Sequence, residues 1–336
     1  MKKEADASKI IDCLNSKYGI ATTQITLLPL GADMDASVYK AEADDEKSYF
    51  IKVKKGHQSN IGVTLLAFLK ASGIQQIIPP IQGGDGKLTH PINDFTLIVY
   101  PFINGQNGFS CHLNDVQWIN LGQALKQVHQ LDVPQSFKDQ IKKEDFSSKS
   151  RETLRSIESM DGNFANDEMS WKLQTFMKEH KEIIHRLVNQ AELLCQMIQG
   201  ESTEFVLCHS DIHGGNVLID ENGAIYIVDW DEPIMAPKER DLMFIGGGVA
   251  NVWNHLHEEQ LFYKGYGKTP IQIEILAYYR HERIIQDIVE YYQALLFTSD
   301  RKEDKQKIYK HFLDMFAPNG VVDIAFRTAK SVKVQD

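Results

Sequence analysis

Hydrophobic residues in the first hundred positions fall into short, roughly alternating runs, and from Leu113 onward they recur every three or four positions. A period near two predicts strands and a period near 3.6 predicts helices. At the start, Asp6 or Ser8 can cap a helix carrying Ile10, Ile11, Leu14 and Tyr18 on one face, with Gly19 as its stop. Strands are predicted over 24–30, 36–41 and 48–54, followed by a helix over 60–71 that turns Ile61, Leu65, Leu66, Phe68 and Leu69 inward and stops at Gly73. Two more strands are expected over 77–81 and 95–100. Helices follow over 114–131, with Asn114 as cap, over one or two spans of 169–200, and over 271–296 and 305–316. Residues 134–166 are polar and carry no clear period.

This order, strands first and helices after, predicts an α+β protein of two parts. Residues 1–100 form a smaller β-rich lobe, 101–105 a hinge marked by Pro101 and Gly105, and 106–336 a larger, mainly helical lobe. A chain of 336 residues is long enough to give each part its own core.

One stretch interrupts the helical half. In CHSDIHGGNVLIDENGAIYIVDWD (208–231), 217–219 and 225–228 read as two short strands joined by a turn ending in Asn222-Gly223. Asp211 precedes Asn216 by five positions and Asp229 by eighteen. A hairpin between them would return Asp229 to Asn216. An amide oxygen and a carboxylate placed together suit Mg²⁺ held against phosphates, with Asp211 left to face an attacking hydroxyl. Each residue alone would be an ordinary turn or capping group. A rival metal set of Asp211, His213, His209 and Cys208 has no second histidine cluster behind it, since His255 and His257 lie in an unrelated polar run.

Two glycine-rich stretches are set aside. Gly246 to Gly248 follows no strand and suits close helix packing, and the Gly-Lys-Thr at 267–269 lacks a P-loop's first glycine, because position 262 is Phe262. A net charge of −10 argues against a nucleic-acid partner and leaves room for a cationic substrate. The four cysteines have neither metal nor disulfide spacing, which fits reduced thiols. With no signal-like N-terminus and no membrane-length apolar run, a cytoplasmic protein is expected.

The order Asp211, Asn216, hairpin, Asp229 resembles that of protein kinases. In a kinase-like lobe, Lys52 on the third strand would meet the nucleotide phosphates, the 31–35 connection with Gly31 and Asp33 would approach them, and Tyr100 and Phe102 would flank the adenine. One departure stands out. No acidic residue lies between Lys52 and Asp85, so the helical glutamate that pairs with such a lysine is missing; Asn60 or a main-chain carbonyl takes its place, or the lysine has no such partner.

LGQALKQVHQL (121–131), HSDIHGGNVLID (209–220), IYIVDWD (225–231) and ERDLMFIGGG (239–248) carry a resemblance to the aminoglycoside phosphotransferase family that runs over nearly the whole chain. GADMDASVYKAE (31–42), FYKGYG (262–267) and YYRHERI (278–284) narrow it to the spectinomycin-phosphorylating members. The resemblance implies a bilobal protein-kinase-like fold and a monomer that transfers the γ-phosphate of ATP or GTP, with Mg²⁺, to a hydroxyl of a cationic aminocyclitol. Asp211 would orient the hydroxyl and accept its proton, Asn216 and Asp229 would bind metal, and Lys52 would bind phosphate. Trp230, Asp231, Trp253, Tyr266 and Glu282 are the expected acceptor contacts. A kinase of choline, homoserine or methylthioribose with the same fold is the alternative, and a nucleotide-binding pseudokinase would fit the missing glutamate.

Overall fold

The computed structural model describes residues 5–28, 36–56, 61–159, 167–199, 203–249, 252–297 and 302–332, which group into two compact units. The first unit comprises Met1–Gln117, Asp132–Lys142 and Gly215–Pro233. It is built on an antiparallel sheet of β1 (Thr22–Leu28), β2 (Ala36–Ala43), β3 (Ser48–Lys55), β4 (Thr89–Ile92) and β5 (Phe95–Pro101), in the order β1-β2-β3-β5-β4. β3 is therefore central. Its period of two buries Ile51 and Val53 in a core with Ile10, Leu14, Tyr39, Leu97 and Val99, and turns Lys52 and Lys54 to the other face. The first helix, Ala7–Cys13, is capped by Asp6 through Ser8 N–H at 2.9 Å, and Gly19 ends its last turn at φ 67°.

The expected strand over 77–81 is absent: Ile77 makes one isolated bridge to Ile227, and Pro79 and Pro80 cannot donate to a ladder. In its stead β4 lies at the sheet edge, where Pro91 is tolerated. A second sheet joins β6 (Gly105–Asn107) to Val217–Asp220 and Ile225–Ile227. Gly105 opens this strand. A Cβ there would sit 2.1 Å from the Ile219 carbonyl oxygen, so the pairing requires glycine.

The second unit comprises Trp118–Leu131, Lys143–Gly214 and Ile234–Asp336. Its axis is the 25-residue helix Ile273–Phe297, against which Lys149–Glu158, Lys181–Ile198, Lys302–Met315 and a further helix, Val321–Lys330, pack. Leu173, Ile184, Leu187, Ile285, Ile288, Leu295 and Phe312 fill the core between them. The 169–200 span divides at His180 into Glu168–Glu179 and Lys181–Ile198. Gly247, whose Cβ would lie 2.0 Å from the Met243 carbonyl oxygen, has the expected packing role. Val206–Cys208 pairs with Ile234–Ala236. All four cysteines are free thiols, and no helix among the described residues is long and apolar enough to cross a membrane.

Candidate active site

The hairpin forms for local reasons. Asp220 Oδ1 accepts the N–H groups of Asn222 at 2.9 Å and Ala224 at 2.8 Å, and Gly223 takes φ 81°. The two strands then pair Ile219 with Ile225 and Val217 with Ile227. Past the second strand, Val228 N–H donates to the Asn216 carbonyl at 2.9 Å, which brings the chain entering Asp229 back to Asn216. Asp229 has φ 64°, in the left-handed region that asparagine and aspartate enter more readily than other side chains.

The partner of Lys52 comes from this segment. Lys52 Nζ donates to Asp229 Oδ1 at 2.9 Å and to Asp231 Oδ2 at 2.6 Å, and Lys54 Nζ reaches the same Asp231 oxygen at 3.0 Å. Burial favours the neutral amine, but the two carboxylates outweigh it and hold Lys52 above its ordinary pKa. The expectation of a main-chain carbonyl is corrected here, and Asn60 lies outside the described residues. The helix Ile61–Ala71, where a glutamate was missing, contributes Gly62 instead. A Cβ on Gly62 would stand 2.6 Å from the Trp230 carbonyl oxygen, so the glycine lets the 229–231 segment lie close to this helix.

In the second unit, the loop bearing Asp211 is fixed from beneath. The fully buried Asp241 accepts the N–H groups of His209 at 2.9 Å and Ser210 at 2.7 Å. His129 Nε2 lies 2.9 Å from the same carboxylate, and its Nδ1 lies 2.7 Å from the Tyr266 hydroxyl. Burial would raise the Asp241 pKa, but His129 and the loop N–H groups keep it low. This brace lets Ser210 hold φ 75°. Asp211 itself meets Arg283 Nη1 at 2.5 Å through Oδ1 and His213 Nε2 at 3.3 Å through Oδ2. Burial pushes its carboxyl up; His213 and Arg283 outweigh that and hold it well below the usual carboxylate range.

The rival metal set is not assembled. Among the described residues, Cys208 groups with His129 and Asp241 rather than with Asp211 and His213. Burial keeps its thiol up, and the Asp241 carboxylate is already spent on hydrogen bonds. Asp241, His129 and Arg283 escaped sequence reasoning as site residues. The signal for Arg283 was its spacing of four from Asp287 on a largely apolar helix.

The expected acceptor contacts all have partners within the protein. Trp230 is 2% exposed and its Nε1 donates to the Ile227 carbonyl at 3.2 Å; Trp253 is 3% exposed and packs its ring 5.0 Å from Trp118; Tyr266 is 2% exposed and bound to His129. All three are buried in this structure. Asp231 serves the lysines, and Glu282 is committed to Arg151 Nη1 at 2.6 Å. Burial pushes the Glu282 carboxyl up to about 7, against the pull of Arg151. Of the expected nucleotide contacts, Tyr100 stands on β5 with its ring 6.3 Å from Phe50, and Phe102 donates its N–H to the Ser48 carbonyl at 3.1 Å, beneath Lys40 Nζ. Gly31 and Asp33 lie outside the described residues.

Comparison with known proteins gives the family and the fold. The model of the phosphotransferase enzyme family matches residues 26–262. The structure is similar to spectinomycin phosphotransferase APH(9)-Ia in complex with ADP and spectinomycin, with a TM-score of 0.89 and 44% identity, covering 97% of this chain and 99% of that one. The AMP-bound complex of the same enzyme gives 0.86 and 43%, with 96% and 99% covered. Amicoumacin kinase hAmiN, at 16% identity and TM-score 0.63 over 94% of this chain and 95% of its own, shares the fold alone. Protein StrN of Streptomyces griseus is 26% identical over 183 residues, which is 52% of this chain and 55% of that protein, so the match spans about half of this relative. The α+β, protein-kinase-like fold with a β-rich N-terminal part and a helical C-terminal part, expected from the sequence, is borne out.

Proposed function

On the premise that this chain belongs to the phosphotransferase enzyme family, we propose that it transfers the γ-phosphate of ATP to a hydroxyl of spectinomycin and so inactivates the antibiotic. The observation that carries the chemistry is the gathering of Lys52 and Asp229 at 2.9 Å, with Asn216 bonded through its carbonyl to the residue before Asp229. The substrate follows from the likeness, over nearly the whole chain, to a relative bound to ADP and spectinomycin.

Each residue then has a role. Lys52 binds the phosphates. Asn216 and Asp229 fit a hard cation such as Mg²⁺, because they present an amide and a carboxylate oxygen and Asp229 is half-exposed. When bound, the cation neutralises charge on the phosphates. Asp211, with its carboxylate held ionised, accepts a hydrogen bond from the acceptor hydroxyl, aims it at the phosphorus and takes its proton as the new P–O bond forms and ADP leaves. Because phosphoryl transfer passes through a loose transition state, this orientation matters more than the basicity of Asp211. The carboxylates on Lys52 remove the ground for a pseudokinase, which rested on that lysine lacking a partner. We further infer a monomeric, cytoplasmic enzyme.

The test is phosphate transfer from γ-labelled ATP with Mg²⁺ to spectinomycin, kanamycin, streptomycin, choline, homoserine or methylthioribose, each repeated with Asp211→Ala. Label on spectinomycin that disappears in the variant is the expected result. Label on another acceptor alone would keep the chemistry and overturn the antibiotic assignment.

A further inference from the structure

Arg283 stands on the helix Ile273–Phe297, and its guanidinium forks between two carboxylates. Nε donates to Asp287 Oδ1 at 2.8 Å, one turn along the same helix, and Nη1 donates to Asp211 Oδ1 at 2.5 Å. The guanidinium also lies over the Phe244 ring, 5.4 Å from its centroid. Bonded at two points and packed on a ring, this planar group has little freedom to turn. Both members of the Arg283–Asp287 pair are largely buried, at 16% and 13% exposure. A buried ion pair is a poor route to stability, since apolar residues of similar volume serve as well or better. Its geometry, by contrast, does something apolar residues cannot: it presents a fixed cation to Asp211.

We propose that Arg283, anchored by Asp287, is a positioning residue for phosphoryl transfer that fixes the orientation of the Asp211 carboxylate toward the acceptor hydroxyl. This rests on the role given to Asp211 above. The charged groups that act on these side chains interlock. Asp211 faces Arg283 and His213; Arg283 faces Asp211, Asp287 and Glu290; Asp287 faces Arg283, Glu290 and Asp211. Burial raises Asp211 and Arg283 is one of the groups that oppose the rise, so removing Arg283 weakens that opposition. The Asp211 carboxyl would then titrate at higher pH, and the acid limb of activity would move up with it.

Removing Arg283 alone would strand a buried Asp287, so the main test is Arg283→Met combined with Asp287→Leu, which takes both charges away. Arg283→Lys is the second variant, because it keeps the charge but cannot fork. For the double variant we expect a melting temperature near that of the unaltered protein and a KM for ATP within about twofold of its value. With the orienting partner lost, kcat should fall about 10- to 100-fold and the acid limb should shift to higher pH. Arg283→Lys should fail to restore kcat. Independently of turnover, carbon-13 NMR of the Asp211 carboxyl, assigned with Asp211→Asn, should show a higher titration midpoint in the double variant. An unchanged kcat, acid limb and midpoint in the double variant, or full kcat in Arg283→Lys, would overturn the proposal. If the unaltered protein transfers no phosphate to any acceptor, the proposed function fails, while the NMR midpoint still reports whether Arg283 holds Asp211.

Discussion

Asp231→Asn isolates the partner of Lys52 with little change in shape. Asp231 accepts from Lys52 at 2.6 Å and Lys54 at 3.0 Å, with its side chain 29% exposed and that of Lys52 13% exposed. Such a pair lies between an exposed one, worth up to about 1 kcal/mol, and a buried one, whose disruption costs about 3–5 kcal/mol. Lys52 keeps Asp229, so the loss expected is about 1–2 kcal/mol by urea unfolding near neutral pH. The sign with pH is fixed. Burial raises the Asp231 carboxyl, Lys52 and Lys54 lower it further, and its folded pKa is net depressed. Its contribution is thus present above the unfolded carboxylate pKa and fades as pH falls through the folded one, so the variant and the unaltered protein should converge in acid. In function, Lys52 would lean on Asp229 alone, the residue proposed to hold metal. Losing a partner that orients a ligand-binding group typically costs about 10- to 100-fold, and we expect that in kcat/KM for ATP. Steady-state kinetics with ATP and spectinomycin would read it, and Lys54→Met would separate any effect passing through Lys54. Kinetics for Asp231→Asn within about twofold of the unaltered protein would refute the idea that this carboxylate positions Lys52.

Asp241→Asn should cost about 3 kcal/mol in urea unfolding, because an amide nitrogen would face one of the donors from His129, His209 and Ser210; a loss below about 1 kcal/mol would contradict the brace. Glu282, whose folded carboxyl is pushed up to about 7 from an ordinary 4.5, contributes stability that is full below about pH 4.5 and is lost as pH rises through 7. Glu282→Gln should therefore flatten the fall in melting temperature across that window, and an unchanged slope would place the pH dependence elsewhere.

Local signals in the sequence were strong where one segment decides its own shape. The Asp220–Gly223 turn, the Asn114 cap, which accepts Gln117 N–H at 3.0 Å, and the long periodic helices all follow from neighbours in the chain. Val321–Lys330 was missed, although Val321, Val322, Ile324, Ala325 and Thr328 mark one face, because the helix is short. Edge strand β4 hid behind Pro91, and Ile77, Ile78 and Ile81 disguised 77–81 as a strand despite its paired prolines. Asp211, Asn216 and Asp229 stood out by spacing alone. What stayed out of sight were pairings across large separations: Lys52 with Asp231 lies 179 positions apart and Arg283 with Asp211 lies 72 apart. No periodicity encodes such meetings, because they depend on how whole sheets and helices pack.

The exchange of a helical glutamate for Gly62 and Asp231 alters the electrical bookkeeping of the first unit. Lys52 and Lys54 face Asp229 and Asp231, so this patch is neutral as it stands. A lone anion drawn to the lysines would leave the aspartates uncompensated, and a lone cation drawn to Asp229 would do the same to Lys52. A ligand bringing both signs together meets both kinds of group at once, and under the proposed function a metal-chelated triphosphate would be such a ligand. On the proposed function, a preference for chelated over free nucleotide would be written into four side chains on two short segments.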